Sequence, residues 1–363
     1  MKRLYLGLDV HAQSTTVAVV DEAGKRLHVT VVPTTATALI DVMQRLTSIG
    51  AEVHACTEEG TQSAWVYETL RPNVDEVVVT MPVRKHGPKS DSRDAFALAE
   101  RLRKGTLDRI VYKSTGPYTA LRECVRAHRM ITSDVIRAKN RIKAAFRARG
   151  LHVEGDELYD PQRREKWLER LGVKHRPLAE MMGAQLDAVL ELHRGATERL
   201  REEASHHGIV ERLMTIPCIG IIRAAYIVAT VVTPTRFRSK RQFWAYCGLA
   251  VVTQSSADWM MLHGRFVRSG APQTRGLNRN RNPVMKEVFK GAALHVGHLD
   301  DDHPLKQDYQ QLVGRGLKPA IARITIARRL AATALSMWKK EEVYDASKRY
   351  RSSTINVAAR RMA

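Results

Sequence analysis

At 363 residues, with 44% hydrophobic and 27% charged side chains, the chain is long enough for two or three domains with cores of their own. Its 59 Lys and Arg against 38 Asp and Glu leave a net charge of +21 and a pI near 10.1, which points to a polyanionic partner, either nucleic acid or an anionic membrane surface. No apolar run reaches the ~18 residues of a membrane span, no signal-peptide pattern opens the chain, and Cys56, Cys124, Cys218 and Cys247 form no CxxC pair. An integral membrane protein, a disulfide scaffold and a zinc ribbon are therefore excluded, and the expected setting is the cytoplasm, at the nucleoid.

Taken in chain order, residues 3–33 read as three strands. Leu4, Leu6, Leu8 and Val10 alternate, residues 15–20 are β-branched, and residues 27–32 alternate again, with turn residues between. A helix is expected over 36–48, a strand over 52–57, a helix over 62–70, an apolar strand over 76–81 and a helix over 91–103. The order βββ-α-β-α-β-α describes an α/β unit with a mixed sheet of the ribonuclease-H-like kind. Residues 118–150 read as a long helix with Leu121, Val125, His128, Val135, Ala138, Ile142 and Phe146 on one stripe. A second, over 177–203, is expected to bury Leu178, Met182, Leu186, Val189, Leu192, Ala196 and Leu200. Two such helices form an antiparallel hairpin or an oligomerising coiled coil. Residues 208–235 read as a helix-hairpin-helix turning at Ile216-Pro217-Cys218-Ile219-Gly220, whose backbone N–H groups can hold a phosphate. Residues 260–283 read as an exposed basic segment, and helix returns over 317–338. The expected boundaries are 1–112, 113–207, 208–345 and a basic tail, 346–363, with the C-terminal part mostly helical.

The charge is unevenly spread. Residues 1–100 hold 10 basic and 13 acidic side chains, whereas residues 101–150 hold 14 and 3. Arg122, Arg126, Arg129, Arg141, Lys143 and Arg147 fall largely off the apolar stripe of their helix and are expected to touch phosphates, as are Arg265 and Arg268 further on. The ordinary reading of such a run is a solvated helix face.

The acidic N-terminal part carries the chemistry. Asp9 ends the first strand, and Glu58 and Glu59 end the fourth, which neighbours the first in a ribonuclease-H-like sheet. Asp91 and Asp94 share one face at the start of a helix. Carboxylates brought together there would repel unless divalent cations neutralised them, as in two-metal phosphoryl transfer. The alternative is that Asp91 is only an N-cap and Asp94 only a partner of the helix dipole. The actin-like ATPases share this sheet, but they need small residues after the strand-one Asp, where this chain has Val10-His11.

These residues resemble the IS110 family of insertion-sequence transposases, relatives of the Piv DNA invertases. Asp9, a Glu before Gly60 and Lys89-Ser90-Asp91-Ser92-Arg93-Asp94-Ala95 resemble the family's RuvC-like DEDD domain. Ile216-Pro217-Cys218-Ile219-Gly220, the stretch 243–249, Gln254-Ser255-Ser256 and the run from Gly264-Arg265-Phe266 to Arg275 resemble successive elements of its second transposase domain. The chain departs from the pattern at Cys218 and Ala257, where the family has Gly, and at Ala250-Val251, which lack a Pro.

The resemblance implies catalytic, metal-binding roles for Asp9, Glu58, Asp91 and Asp94, with Mg2+ or Mn2+ as cofactor and Glu59 as the alternative to Glu58. It also implies a serine nucleophile at Ser256, with Ser255 as the alternative, forming a phosphoserine link to DNA. Donor and target DNA are the implied partners, with a structured guide RNA in some members, and the implied assembly is a homodimer or homotetramer. A hydrolytic RuvC-like nuclease using the four carboxylates alone is the competing function.

Overall fold

The computed structural model describes residues 3–82, 90–107, 110–111, 116–254, 259–268 and 273–348. The chain divides into two compact units, 1–116 and 117–363.

In the first unit, β1 (Arg3–Val10), β2 (Ser14–Asp21) and β3 (Arg26–Pro33) are followed by α1 (Ala36–Thr47), β4 (Glu52–Glu58), α2 (Ser63–Leu70), β5 (Glu76–Thr80), α3 (Asp91–Arg103) and β6 (Ile110–Val111). The sheet order is β3-β2-β1-β4-β5-β6. β1, β2 and β3 are antiparallel neighbours, whereas β4 lies parallel to β1 and β5 parallel to β4. The ribonuclease-H-like order read from the sequence is the one observed. The short antiparallel β6 adds an edge that two residues could not announce.

Alternation in β1 divides the sheet's two faces. Leu4, Leu6 and Leu8 pack with Val17, Val19, Leu39, Met43, Val53 and Val66 under α1 and α2. The Thr35 hydroxyl caps α1 by accepting from the Ala38 amide at 3.3 Å. On the other face Cys56 and Val78 meet Leu98 of α3.

The second unit begins with α4 (Thr119–Arg147), α5 (Pro161–Leu168) and α6 (Arg176–Ser205). α4 and α6 run antiparallel, as three bonds along their length record. His128 Nε2 lies 3.2 Å from the Thr197 hydroxyl, His193 Nε2 lies 3.1 Å from the Thr132 hydroxyl, and Arg141 donates to Gln185 at 2.8 Å. The expected stripe on α6 is corrected by this packing. Leu178 and Leu192 are 55% and 61% exposed, and the buried residues are Ala179, Gly183, Leu186, Leu200 and Ala204. At several layers the inward residue is the next one along, a rotation of about 100°. Apolar periodicity missed it because the inward layers are small or polar.

Gly183 shows why. A Cβ there would lie 2.5 Å from Arg164 Nη1. Arg164 is buried against Gly183, donates to the Leu158 carbonyl at 2.8 Å and grips both Asp187 oxygens at 2.8 and 2.6 Å. The far end of the hairpin closes on Phe146, Leu158, Leu168 and Leu186. Its near end, with Leu121, Val125 and Leu200, joins the larger core built by α7 (Gly208–Met214), α8 (Ile221–Val231), α9 (Lys240–Tyr246), α10 (Pro283–Leu294), α11 (Pro304–Gly314) and α12 (Pro319–Lys340).

The turn between α7 and α8 bends at Cys218, whose φ is +66°. The Arg223 guanidinium donates to the Cys218 carbonyl at 2.9 Å and fixes that turn. The left-handed conformation costs an L-residue on the order of 1 kcal/mol that glycine is spared. Cys218→Gly is expected to raise the thermal midpoint by about 1–3 °C, the lost side-chain packing offsetting part of the gain. A lower midpoint in calorimetry would show that the packing dominates.

Between α9 and α10 lie β7 (Val251–Gln254), β8 (Trp259–Leu262), β9 (Arg265–Arg268) and β10 (Gln273–Leu277). β10 pairs with β7, and β8 pairs with β9, both antiparallel. This corrects the reading of residues 260–283 as merely an exposed basic segment. His263 and Gly264, with φ of +49° and +74°, form the two-residue turn that joins β8 to β9. Ser255, Ser256, Ala257 and the tail 349–363 lie outside the described residues. Among the described residues no helix is long and apolar enough to cross a membrane.

Candidate functional site

With Leu4, Leu6 and Leu8 turned to one face of the sheet, Tyr5, Gly7 and Asp9 fall on the other, the face that α3 covers. Gly7 is the point of closest approach. A Cβ at Gly7 would lie 1.9 Å from the Ala95 carbonyl oxygen and 2.6 Å from the Ala99 amide nitrogen. The α3 backbone therefore rests directly on the β1 backbone, and Ala95 and Ala99 are fully buried at the contact. Gly7-Leu8-Asp9 and Asp91-Ser92-Arg93-Asp94-Ala95 thus act as one device. The small residues seat the helix, and its first turn then stands beside the end of β1.

Asp9 and Asp91 meet there, and a third residue joins them. His11 Nε2 lies 3.5 Å from Asp9 Oδ2 and 3.5 Å from Asp91 Oδ1. One ligand atom from each of Asp9, His11 and Asp91 lies within 4.8 Å of the other two. Asp9 is the most buried, with 24% of its side chain exposed, whereas His11 and Asp91 are 53% and 60% exposed. In the sequence His11 stands only as a turn residue and as a departure from the ATPase pattern. The missed signal was the Asp-x-His spacing at the end of a strand whose next residues turn back toward it.

Glu58 and Asp94 lie outside that three-residue group. The register of β4 on β1 ends at the pair Leu8–Thr57, so the next step along the strands sets Glu58 alongside Asp9. Glu58 is registered with Thr80 on its other side, and Glu59 donates its amide to the Thr80 carbonyl at 2.7 Å. One oxygen of each, Glu58 Oε1 and Glu59 Oε2, is buried. Asp94 stands one turn further along α3, its amide bonded to the Ser90 carbonyl at 2.9 Å. The N-cap of α3 is Ser90, and Asp91 is the first helical residue, which corrects the alternative reading of Asp91 as the cap.

The cysteines take no part. Burial pushes the Cys56 thiol up to about 12 and raises those of Cys124, Cys218 and Cys247 as well, so none offers a thiolate near neutrality.

On α4, Arg122, Arg126 and Arg129 follow one another at helical spacing, and Arg126, Arg141 and Arg147 are exposed. Two of the expected phosphate ligands are engaged within the chain. Arg141 holds Gln185, and Lys143 donates to the Gly155 carbonyl at 2.7 Å and sits 5.0 Å from the Tyr159 ring centroid. Arg265 is exposed at the start of β9, and Arg268 ends that strand.

Comparison with known proteins agrees with this layout. A family model for the DEDD domain of IS110 transposases matches residues 6–148, which include the whole carboxylate site. A second, described as "Transposase IS116/IS110/IS902 family", matches residues 210–277, from α7 to β10. A relative from Sinorhizobium fredii, named "Putative transposase y4pF/y4sB", is 25% identical over 285 residues, a match spanning 72% of this chain and 65% of that one. With Asp9 and Asp91 joined at the end of β1 and both domain models matched in order, the chain belongs to the IS110 family of transposases.

Proposed function

We propose that this chain is a DNA transposase that cuts and rejoins strands of donor and target DNA. The observation that carries the reading is the convergence of Asp9 and Asp91, enforced by the Gly7–Ala95 contact, within a chain that matches both transposase domains. Two carboxylate oxygens within 4.8 Å of each other are donors suited to a divalent cation, Mg2+ or Mn2+. Asp9 and Asp91 would hold it, with Glu58 and Asp94 completing the acidic surround. Such an ion would polarise a phosphate oxygen and neutralise charge developing on it.

Ser256 is the nucleophile in this reading. Its hydroxyl oxygen forms a bond to phosphorus and loses its proton, while one strand leaves as a free hydroxyl. Attack by a strand hydroxyl on the phosphoserine restores a phosphodiester and releases the serine. Two exchanges of like bonds need no external energy source. The basic stripe of Arg122, Arg126 and Arg129, extended by Arg147, together with Arg265 and Arg268, suits phosphate backbones of DNA or of a structured guide RNA. A homodimer or homotetramer would carry two exchanging sites.

The reaction stopped with denaturant should carry DNA covalently attached to protein in the wild type. The adduct should vanish in Ser256→Ala, with DNA binding retained. An adduct surviving in Ser256→Ala but lost in Ser255→Ala moves the role by one residue. Cut DNA without any adduct in the wild type makes the protein a hydrolytic nuclease instead.

A further inference from the structure

We infer that His11 is itself a ligand of the divalent ion, a third donor beside Asp9 and Asp91, and that it biases the centre toward Mn2+ over Mg2+. This rests on the carboxylate metal site proposed above and adds a residue to it.

The spacing suits a set of co-ligands better than a pair of hydrogen bonds. An N–H···O bond spans about 2.7–3.2 Å, and the two 3.5 Å separations from His11 Nε2 exceed that for both partners at once. Donors around one cation behave differently. With metal–ligand bonds of roughly 2.1–2.2 Å, adjacent donors stand about 3 Å or a little more apart. A ring nitrogen equidistant from two carboxylate oxygens, slightly too far to bond either, has the spacing of co-ligands.

The main chain holds His11 in that position. Its amide donates to the Ser14 carbonyl at 2.9 Å, closing the turn between β1 and β2. Its carbonyl accepts from the Thr34 hydroxyl at 2.9 Å, and that hydroxyl lies 2.9 Å from the hydroxyl of Thr15, which is fully buried. The turn is thus tied to the end of β3 as well as to β2, so the imidazole stands on a fixed backbone. The half-exposed side of the ring leaves room for water or substrate oxygens to fill the remaining positions around an ion.

The chemistry follows from the donor. Mg2+ takes oxygen ligands and gives up water reluctantly, whereas the first-row transition metals accept an imidazole nitrogen more readily, Mn2+ the least of them but still more than Mg2+. A carboxylate-only site would not make that distinction as strongly.

The experiment uses the full chain and Mn2+ alone. Electron spin-echo spectroscopy of the bound Mn2+ should show coupling to an imidazole nitrogen in the wild type, absent in His11→Ala and in His11→Gln. The Mn2+ dissociation constant should rise at least about ten-fold in both variants, and that for Mg2+ by clearly less. Circular dichroism confirms that these exposed-site variants remain folded. Mn2+ bound without nitrogen coupling, or coupling that persists in His11→Ala, overturns the role of His11 and leaves the carboxylate site standing. A wild type that binds no Mn2+ at all, or an Asp9→Asn variant that binds it unchanged, overturns the site itself and His11 with it.

Discussion

Gly7→Ala is expected to unseat α3 and with it the candidate site. The methyl group would lie 1.9 Å from a main-chain oxygen, so no change of rotamer relieves the contact, and the helix must lift from the sheet. Forcing atoms into a closed contact costs about 1–3 kcal/mol, and the upper end applies where the obstacle is backbone. Urea unfolding followed by a probe in the first unit should show its midpoint fall by about 1–2 M. Gly7→Val should be worse. Ala95→Gly should not rescue either variant, because the clash is with the Ala95 carbonyl and not with its methyl group. Activity should fall by more than the stability loss explains, since the same movement carries Asp91 away from Asp9. Unchanged stability in Gly7→Ala would mean that α3 does not rest on β1.

The first unit was the most legible part of the chain, for a physical reason. Leu4, Leu6 and Leu8 alternate cleanly, and β2, β3 and β5 are rich in Val and Thr and bounded by turn residues, so period and punctuation agree. The pairing of Asp9 with Asp91 was also legible, because a strand-ending carboxylate and an i, i+3 pair at a helix start are local patterns. What brings them together was not. Gly7, Ala95 and Ala99 look unremarkable one at a time, and only the crossing of α3 over β1 reveals that no larger side chain fits at Gly7.

The second unit was read less well where polar groups face inward. Leu178 and Leu192 fit an apolar stripe, yet α6 turns Gly183, His193 and Thr197 toward its neighbours, because Arg164 needs room there and His128 and the Thr132 hydroxyl of α4 need partners. Buried polar groups obey hydrogen bonding before hydropathy. The β8–β9 hairpin was hidden for the opposite reason. Its arginines and its exposed Met260, Met261 and Phe266 give neither a clean strand pattern nor a core. His11 escaped notice because a histidine earns meaning only when a second segment, here the start of α3, closes on it.

Asp9→Asn in a recombination assay tests the account most directly. Removing one carboxylate oxygen charge from the end of β1 should lower the joining rate by about 10³-fold or more, the several kcal/mol expected when metal-assisted charge stabilisation is lost. Two other properties should hold steady. In the proposed reading nucleic-acid affinity rests on arginines elsewhere in the chain and should not change. Thermal stability without added metal should stay close to that of the wild type, because Asn keeps the shape of Asp at a partly exposed strand end. The measurement is the yield of joined DNA from purified wild-type and Asp9→Asn proteins at equal DNA occupancy in Mg2+ and in Mn2+. The account predicts joined product from the wild type alone, with Asp9→Asn bound to DNA and inert. Joined product from Asp9→Asn at the wild-type rate would contradict it, and the carboxylates gathered at the end of β1 would then have no part in the chemistry.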